Sequence, residues 1–340
     1  MRTSGETMGT KERLLEFFER NRGSFFSGEE LAGQLRVSRT AVWKGVNSLR
    51  KDGYQIDAVQ NKGYCFSTHT DILSVQGILG YLSPEYRDLR LEVLQTVDST
   101  NGWVRTKAEA GEPEGYAVIA ASQEKGKGRV GRSFFSPADT GVYMSLLLRP
   151  VGLSPGEASK ITTMAAVAVC QAVEALSGRQ AQIKWVNDIY MDGKKVSGIL
   201  TEASVGLEDG LLDYGVLGIG MNAYVPAGGF PEELSGKAGA IFEGPQDDGK
   251  NRLAAEVLNR FMKAYRTKDT SAYVEEYRKR CLVLGREILV LGKGEARKAM
   301  ALDVDEDCRL VVRYEDGRED RLSSGEISVR FSAPEPPTDR

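Results

Sequence analysis

Apolar positions in the first seventy residues recur at helical spacing. Leu14, Leu15, Phe17 and Phe18 predict an amphipathic helix over about Lys11–Arg20. Ser27-Gly28-Glu29-Glu30 reads as a capping box, opening a second helix that carries Leu31 and Leu35 on one face. After a break at Arg36-Val37, Ser38 is a good N-cap for a third helix with Ala41, Val42, Val46 and Leu49 inward. The segments Tyr54–Val59 and Gly63–Ser67 alternate around Asn61-Lys62, a hairpin in the position of a wing. This is a winged helix-turn-helix pattern, a motif that can bind DNA or another protein.

From about Thr70 strand-like runs alternate with one long helix. Strands are expected at Ala117–Ala121, Gly141–Leu148, Gln182–Trp185, Lys195–Glu202 and Tyr214–Ile219. The helix opens at Ser154-Pro155-Gly156-Glu157, runs through Ile161, Met164, Ala165, Ala168, Val169 and Val173, and can stop at Gly178. Two further helices are expected over Asn251–Arg266 and Ala272–Cys281. Short strands follow at Glu287–Leu291, Lys298–Val304, Arg309–Tyr314 and Arg321–Val329, with a turn at Asp316-Gly317, and read as a small β-barrel. The Pro-rich end, Ala333–Arg340, is expected to be disordered. The chain thus divides into 1–70, 71–280, 281–332 and a tail, 333–340.

Charge sharpens the first domain. The net charge of the 340 residues is −3, yet residues 1–70 hold eleven Lys/Arg against eight Asp/Glu. Arg36, Arg39, Lys44, Arg50 and Lys51 fall in one stretch without an acid. A basic helix at one end of an acidic protein suits a polyanion, and tips the motif toward DNA. Ser38, Arg39, Thr40, Trp43 and Lys44 would meet bases and phosphates, with Lys62 at the wing tip.

Composition removes several chemistries. His69 is the only histidine, so a Ser-His-Asp triad or a multi-His zinc site is nearly excluded. Cys65, Cys170, Cys281 and Cys308 are far apart and suit buried thiols in a reducing, cytoplasmic setting. No apolar run approaches the roughly 20 residues of a membrane span, and the first residues lack an apolar secretion signal. Chemistry must therefore run on cations, carboxylates, amides and backbone.

Gly126-Lys127-Gly128-Arg129-Val130-Gly131-Arg132 fits G-x-G-x-x-G, but Pro137 closes the segment and no amphipathic helix follows, against a dinucleotide site. What remains is a glycine-rich loop dense in cations, suited to a phosphate beside a carboxylate. Lys184 ends a strand that puts Ile183 and Trp185 on the opposite face; Asn187-Asp188 and Asp192-Gly193 are turn signals. At this level Asn187-Asp188 could serve a hairpin alone.

Taken in order, Ser99-Thr100-Asn101, the Gly126–Arg132 loop with Ser136-Pro137, Lys184-Trp185-x-Asn187-Asp188, Lys195-x-x-Gly198-Ile199-Leu200, Gly218-Ile219-Gly220-Met221-Asn222 and Gly325-Glu326-Ile327-Ser328 resemble the biotin protein ligases. With the helix-turn-helix in front, the chain resembles their bifunctional type, in which the ligase is also the biotin operon repressor. The resemblance covers about residues 10–331. It implies an α+β chain: a winged helix-turn-helix, a central mixed α/β ligase domain like the class II synthetases, and a C-terminal SH3-like β-barrel.

The resemblance also implies a reaction. Biotin and ATP would give biotinyl-5′-AMP, whose acyl group passes to a lysine of a biotin carboxyl carrier domain. Ser99, Thr100, Asn101 and Gln123 would face biotin's ureido ring, with Lys127, Gly128, Arg129, Lys184 and Gly198 also at biotin. Lys184, Arg129 and Lys127 would be the catalytic cations. Arg129, Arg132, Lys184, Asn222 and Arg330 would hold the nucleotide, and Phe242 is a candidate to stack on adenine. Mg2+ is implied by ATP, with no acidic cluster marking its site. Operator DNA, and a homodimer when biotinyl-5′-AMP is bound, complete the expected partners. Lys127 stands where the family more often has Arg, Phe134 where it has Trp, and Val186 where it has Pro. A DNA-binding biotin sensor without ligase activity and a lipoate ligase of the same fold are the alternatives.

Overall fold

The computed structural model describes residues 8–154, 157–206, 210–267, 270–291, 296–323 and 326–329. Arg330, Gly325, Pro155, Gly156 and the Ala333–Arg340 tail lie outside them.

The N-terminal domain folds as its pattern predicts. Helix α1 (Thr10–Arg20) buries Leu14, Leu15 and Phe18. Strand β1 (Phe25–Phe26) leads into α2 (Gly28–Leu35), and the capping box forms: Ser27 Oγ accepts from the Glu30 amide at 3.1 Å while Glu30 accepts from the Ser27 amide at 2.7 Å. Ser38 caps α3 (Arg39–Lys51), accepting from the Ala41 amide at 3.1 Å. Ala41 itself is only half-buried. The buried position belongs to Gly45, where an added Cβ would come within 3.0 Å of Leu14. The wing is β2 (Ile56–Val59) and β3 (Gly63–Phe66), with β3 between β1 and β2.

Helix α4 (Val75–Tyr81) joins this domain to the next. The central sheet has seven strands in the order β4-β5-β6-β10-β9-β8-β7. These are β4 (Arg90–Val97), β5 (Tyr116–Gln123), β6 (Gly141–Leu148), β7 (Gln182–Lys184), β8 (Asp188–Met191), β9 (Lys194–Val205) and β10 (Leu212–Asn222). Only β4 and β5 run parallel. Alternation along the strands sorts side chains to two faces. Val142, Met144 and Leu146 of β6, with Leu217 and Ile219 of β10, join the main core. That core is closed by α6 (Ala158–Ser177) and α7 (Gly249–Thr267). Leu147, Tyr214 and Val216 face the other way, under α5 (Thr100–Glu109). Gly178 ends α6 in the left-handed region, as expected, while α4, α5, β4 and β8 add to the predicted elements.

Helix α8 (Thr270–Arg280) precedes the last sheet: β11 (Glu287–Leu291), β12 (Arg297–Val304), β13 (Leu310–Tyr314), β14 (Glu319–Leu322) and β15 (Glu326–Val329), in the order β14-β13-β12-β11-β15. The run expected as one strand over Arg321–Val329 is two. Among the described residues no pairing joins the two edge strands, and the expected barrel is present as a five-stranded antiparallel sheet.

The first two domains are joined through a buried charge cluster. Arg22 donates to Glu19 at 2.8 Å, lies 2.9 Å from Asp248, donates to the Thr70 carbonyl at 3.3 Å and covers the Phe66 ring. Their side chains are 12%, 5% and 2% exposed for Arg22, Glu19 and Asp248. One cation faces two carboxylates, and Glu19 Oε1 is buried with no partner among the described residues. Burial, only partly offset by Arg22, pushes the Glu19 carboxyl up to about 7. A raised carboxyl favours the protonated fold, so its stability contribution is present below about pH 4.5 and is lost as pH rises through about 7. Glu19→Gln should therefore be more stable than wild type at pH 8, by on the order of 2 kcal/mol, with the gain vanishing at pH 4.5. Urea midpoints at the two values test this; a gain independent of pH would show that Glu19 does not titrate there.

Candidate functional site

The site lies on the α5 face of the central sheet, at the strand ends. The β4–α5 turn brings Ser99, Thr100 and Asn101, each nearly buried, to the first turn of α5. Ser99 Oγ caps the helix at the Gly102 amide. Thr100 donates from its amide (2.9 Å) and its hydroxyl (3.1 Å) to Gln123 Oε1, whose Nε2 reaches Ser136 Oγ at 2.9 Å. Asn101 donates to Glu202 at 2.7 Å and accepts from Ser145, 2.7 Å away. Buried polar groups persist where they are satisfied in this way.

Glycines make room for this network. A Cβ on Gly218 would lie 2.1 Å from Asn101 Oδ1, and one on Gly220 would lie 2.5 Å from the Phe134 ring. On Gly198 it would be tight against Phe134 as well, at 3.2 Å.

The glycine-rich loop folds back over the opening. The Phe134 amide donates to Gly126 O at 2.9 Å and the Gly128 amide to Arg132 O at 2.7 Å. Its outermost residue, Val130, is exposed and holds φ 52°, a left-handed conformation that a β-branched side chain rarely adopts. Lys125 leaves the loop to bond Asp98 at 2.7 Å, which holds that carboxyl below its usual range.

Arg129 donates to Asn187 Oδ1 at 3.1 Å. Asn187 is fixed in turn: its Nδ2 donates to Ile199 O at 2.8 Å and its carbonyl accepts from the Ile199 amide at 2.9 Å. The turn signal at Asn187-Asp188 is thus a hairpin that also presents a site residue. Lys195 pairs with Asp188 at 2.6 Å.

Ser99, Thr100, Asn101, Gln123, Lys127, Gly128, Arg129 and Gly198 line one cavity. Phe134, Asn187, Lys195, Gly218 and Gly220, which sequence reasoning gave no place at the ligand, line it too. Lys184, Arg132 and Asn222 do not line that cavity. Lys184 ends β7, half-buried, with Nζ 6.0 Å from the Tyr190 ring centre. Asn222 ends β10 and donates to Gly239 O at 3.0 Å. Phe242 is buried against Tyr224, so little of its ring is exposed for stacking. The turn after Lys184 is held by the last third of the chain. The Leu282 amide donates to Ile183 O (2.9 Å), Tyr277 OH to Val186 O (3.1 Å), and Trp185 Nε1 to Cys308 O (3.2 Å). The four cysteines are unbonded and buried, as expected.

On the N-terminal domain, Arg39, Thr40, Trp43 and Lys44 are exposed on α3. Arg39, Thr40 and Trp43 share a groove with Ala58–Asn61 of the wing, while Lys62 lies over the Phe25 ring. Ser38 spends its hydroxyl on the helix cap. Among the described residues no three His, Cys, Asp or Glu side chains gather, and no helix is long and apolar enough to cross a membrane.

Three families match in order along the chain. An HTH domain matches residues 10–65, the Biotin/lipoate A/B protein ligase family 93–222, and the Biotin protein ligase C terminal domain 283–330. The chain is 32% identical to the bifunctional ligase/repressor BirA of Bacillus spizizenii over 317 residues, 90% of this chain and 95% of that protein. It is 35% identical to that of Bacillus subtilis over 257 residues, 75% of this chain and 78% of that protein. Among solved structures, the biotin protein ligase of Aquifex aeolicus in complex with biotin and ATP superposes with a TM-score of 0.60 at 29% identity, covering 72% of this chain and 99% of that one. Matched over nine-tenths of its length by a bifunctional ligase/repressor, and carrying all three domains, the chain belongs to the biotin protein ligase family.

Proposed function

We infer that this chain is an ATP-dependent biotin protein ligase that also represses transcription through its helix-turn-helix. The observation that carries the ligase reading is the polarity of the cavity. Its lining combines neutral donors and acceptors, the buried Thr100 and Asn101 with the half-buried Gln123, and the cations Lys127 and Arg129. A urea needs directional neutral partners and a carboxylate needs cations, and biotin carries one of each. Lipoate's dithiolane offers none of the urea's donors and acceptors, so it would make none of those directional hydrogen bonds.

In the first step a biotin carboxylate oxygen forms a bond to the α-phosphorus of ATP, and the bond to pyrophosphate breaks. In the second, the carrier lysine's amine attacks the acyl carbon and AMP leaves. Negative charge grows on phosphate and acyl oxygens in both, so fixed cations supply the catalysis. Lys184, Arg129 and Lys127 take that role, with Lys184 placed at the rigid end of a strand. Gly128 offers its backbone near the carboxylate, and Arg132 and Asn222 hold the nucleotide. Arg330 rests on its motif alone. Mg2+ would enter with ATP, and among the described residues no group of three His, Cys, Asp or Glu side chains could hold it. The glycine-rich loop, closing over biotinyl-5′-AMP, keeps water from the mixed anhydride.

The protein partner is a biotin carboxyl carrier domain, and the nucleic-acid partner is operator DNA, met by Arg39, Thr40, Trp43, Lys44 and Lys62. A homodimer formed with biotinyl-5′-AMP bound would read two half-sites, and both activities place the protein in the cytoplasm.

Incubation with biotin, ATP and a carrier domain, read by mass, tests the ligase; an unmodified carrier would overturn it. Lys184→Ala should lower ATP–pyrophosphate exchange at least about 100-fold, and exchange at the wild-type rate would remove Lys184 from the mechanism. Gly218→Ala should raise the biotin KM more than about tenfold while the ATP KM stays put, because its methyl displaces Asn101. Arg39→Ala should weaken operator binding about tenfold and leave ligation unchanged; equal affinity in a mobility-shift titration would take α3 off the DNA.

A further inference from the structure

Strand β6 carries one serine in an otherwise largely apolar run. Ser145 sits among Met144, Leu146 and Leu147 and is fully buried. It faces the α5 side of the sheet and pairs across it with Gly218, the residue whose missing side chain admits Asn101. Its hydroxyl oxygen lies 2.8 Å from Thr100 Oγ1 and 2.7 Å from Asn101 Oδ1.

Counting hydrogens gives this contact a direction. The Thr100 hydroxyl hydrogen goes to Gln123 Oε1, so Thr100 Oγ1 can only accept there. The Asn101 amide hydrogens go to Glu202 and, at 3.4 Å, to Leu200 O, which turns Oδ1 toward Ser145. Two acceptors therefore share the single hydrogen of Ser145. Whichever it serves, the other is left without a side-chain donor among the described residues, and Thr100 and Asn101 both line the cavity. An open acceptor there calls for a ligand N–H. Ser99 already caps α5, so the helix has no need of Ser145 for that purpose.

We propose that Ser145 is a positioning residue for substrate: it fixes the Asn101 amide and sets which of two cavity-wall oxygens accepts a ureido N–H. It touches no substrate itself and acts through Thr100 and Asn101. This rests on the biotin ligase reading and deepens it, by assigning recognition of the urea's N–H groups to a buried hydroxyl.

The test uses the full chain and steady-state formation of biotinyl-5′-AMP, with biotin and with analogues methylated at one ureido nitrogen or the other. Ser145→Ala should raise the biotin KM about 10- to 100-fold, the cost of stranding a buried acceptor, with kcat and the ATP KM within about twofold. Ser145→Cys, which keeps a weak donor in nearly the same volume, should fall between alanine and wild type. Wild type should discriminate against at least one methylated analogue, and Ser145→Ala should shrink that discrimination at least about threefold. A purely structural serine would lower affinity for biotin and analogue by the same factor, or lower kcat instead; either result overturns the proposal. Should the alanine variant not fold, the cysteine variant decides on the same readouts. A wild-type chain that forms no biotinyl-5′-AMP sinks the ligase reading, whereas an active wild type with an unchanged Ser145→Ala KM sinks only this inference.

Discussion

The cavity depends on two missing side chains at the middle of the central sheet. Gly218 and Gly220 occupy β10, flanked by β6 and β9, on the face that α5 covers. A strand in that position ordinarily fills its face with branched side chains. Here the face is left open, and Asn101 and Phe134 approach the backbone closer than any Cβ would permit. The polar first turn of α5 can then be buried without being stranded, because the space is just sufficient for Asn101 to meet Glu202 and Ser145. Packing and recognition are one constraint at this point: the glycines that admit the amide also keep the floor free for a ligand.

Beside that floor one charge is held through a neighbouring hairpin. Arg129 comes from the glycine-rich loop and Asn187 from the β7–β8 hairpin, and their hydrogen bond ties the loop to the sheet. Asn187 is bonded to Ile199 on both its side chain and its main chain, so the guanidinium meets a partner that cannot swing away. A guanidinium held in this way needs no reorganisation when negative charge develops beside it.

The sequence was most legible where structure is local. Capping residues and period-3.6 faces placed the three helices of the first domain, and the alternating runs gave its wing, since each signal lies within a few residues of what it controls. Helix α5 escaped because its inward face is thin: Val104 and Ala108 are its buried apolar residues, and its first turn is polar for the sake of the site. Asn187 read as a turn former, and that reading is right as far as it goes; only the arrival of Arg129, 58 residues away in sequence, shows the second use. Ser145 carried no signal at all, being a lone hydroxyl in an apolar strand. Strand spacing gave the small C-terminal sheet but does not by itself say whether its edges meet.

The supports of the lysine turn have a bearing on synthesis. Chains emerge from the ribosome amino end first, and domains fold as they become complete. The helix-turn-helix has its own core within residues 14–66, so it is finished early. The segment from Ile183 to Val186 waits for Tyr277, Leu282 and Cys308. A nascent chain therefore carries a complete head well before its lysine is clamped, and any message cut short before codon 308 yields the head with an unfinished enzyme behind it.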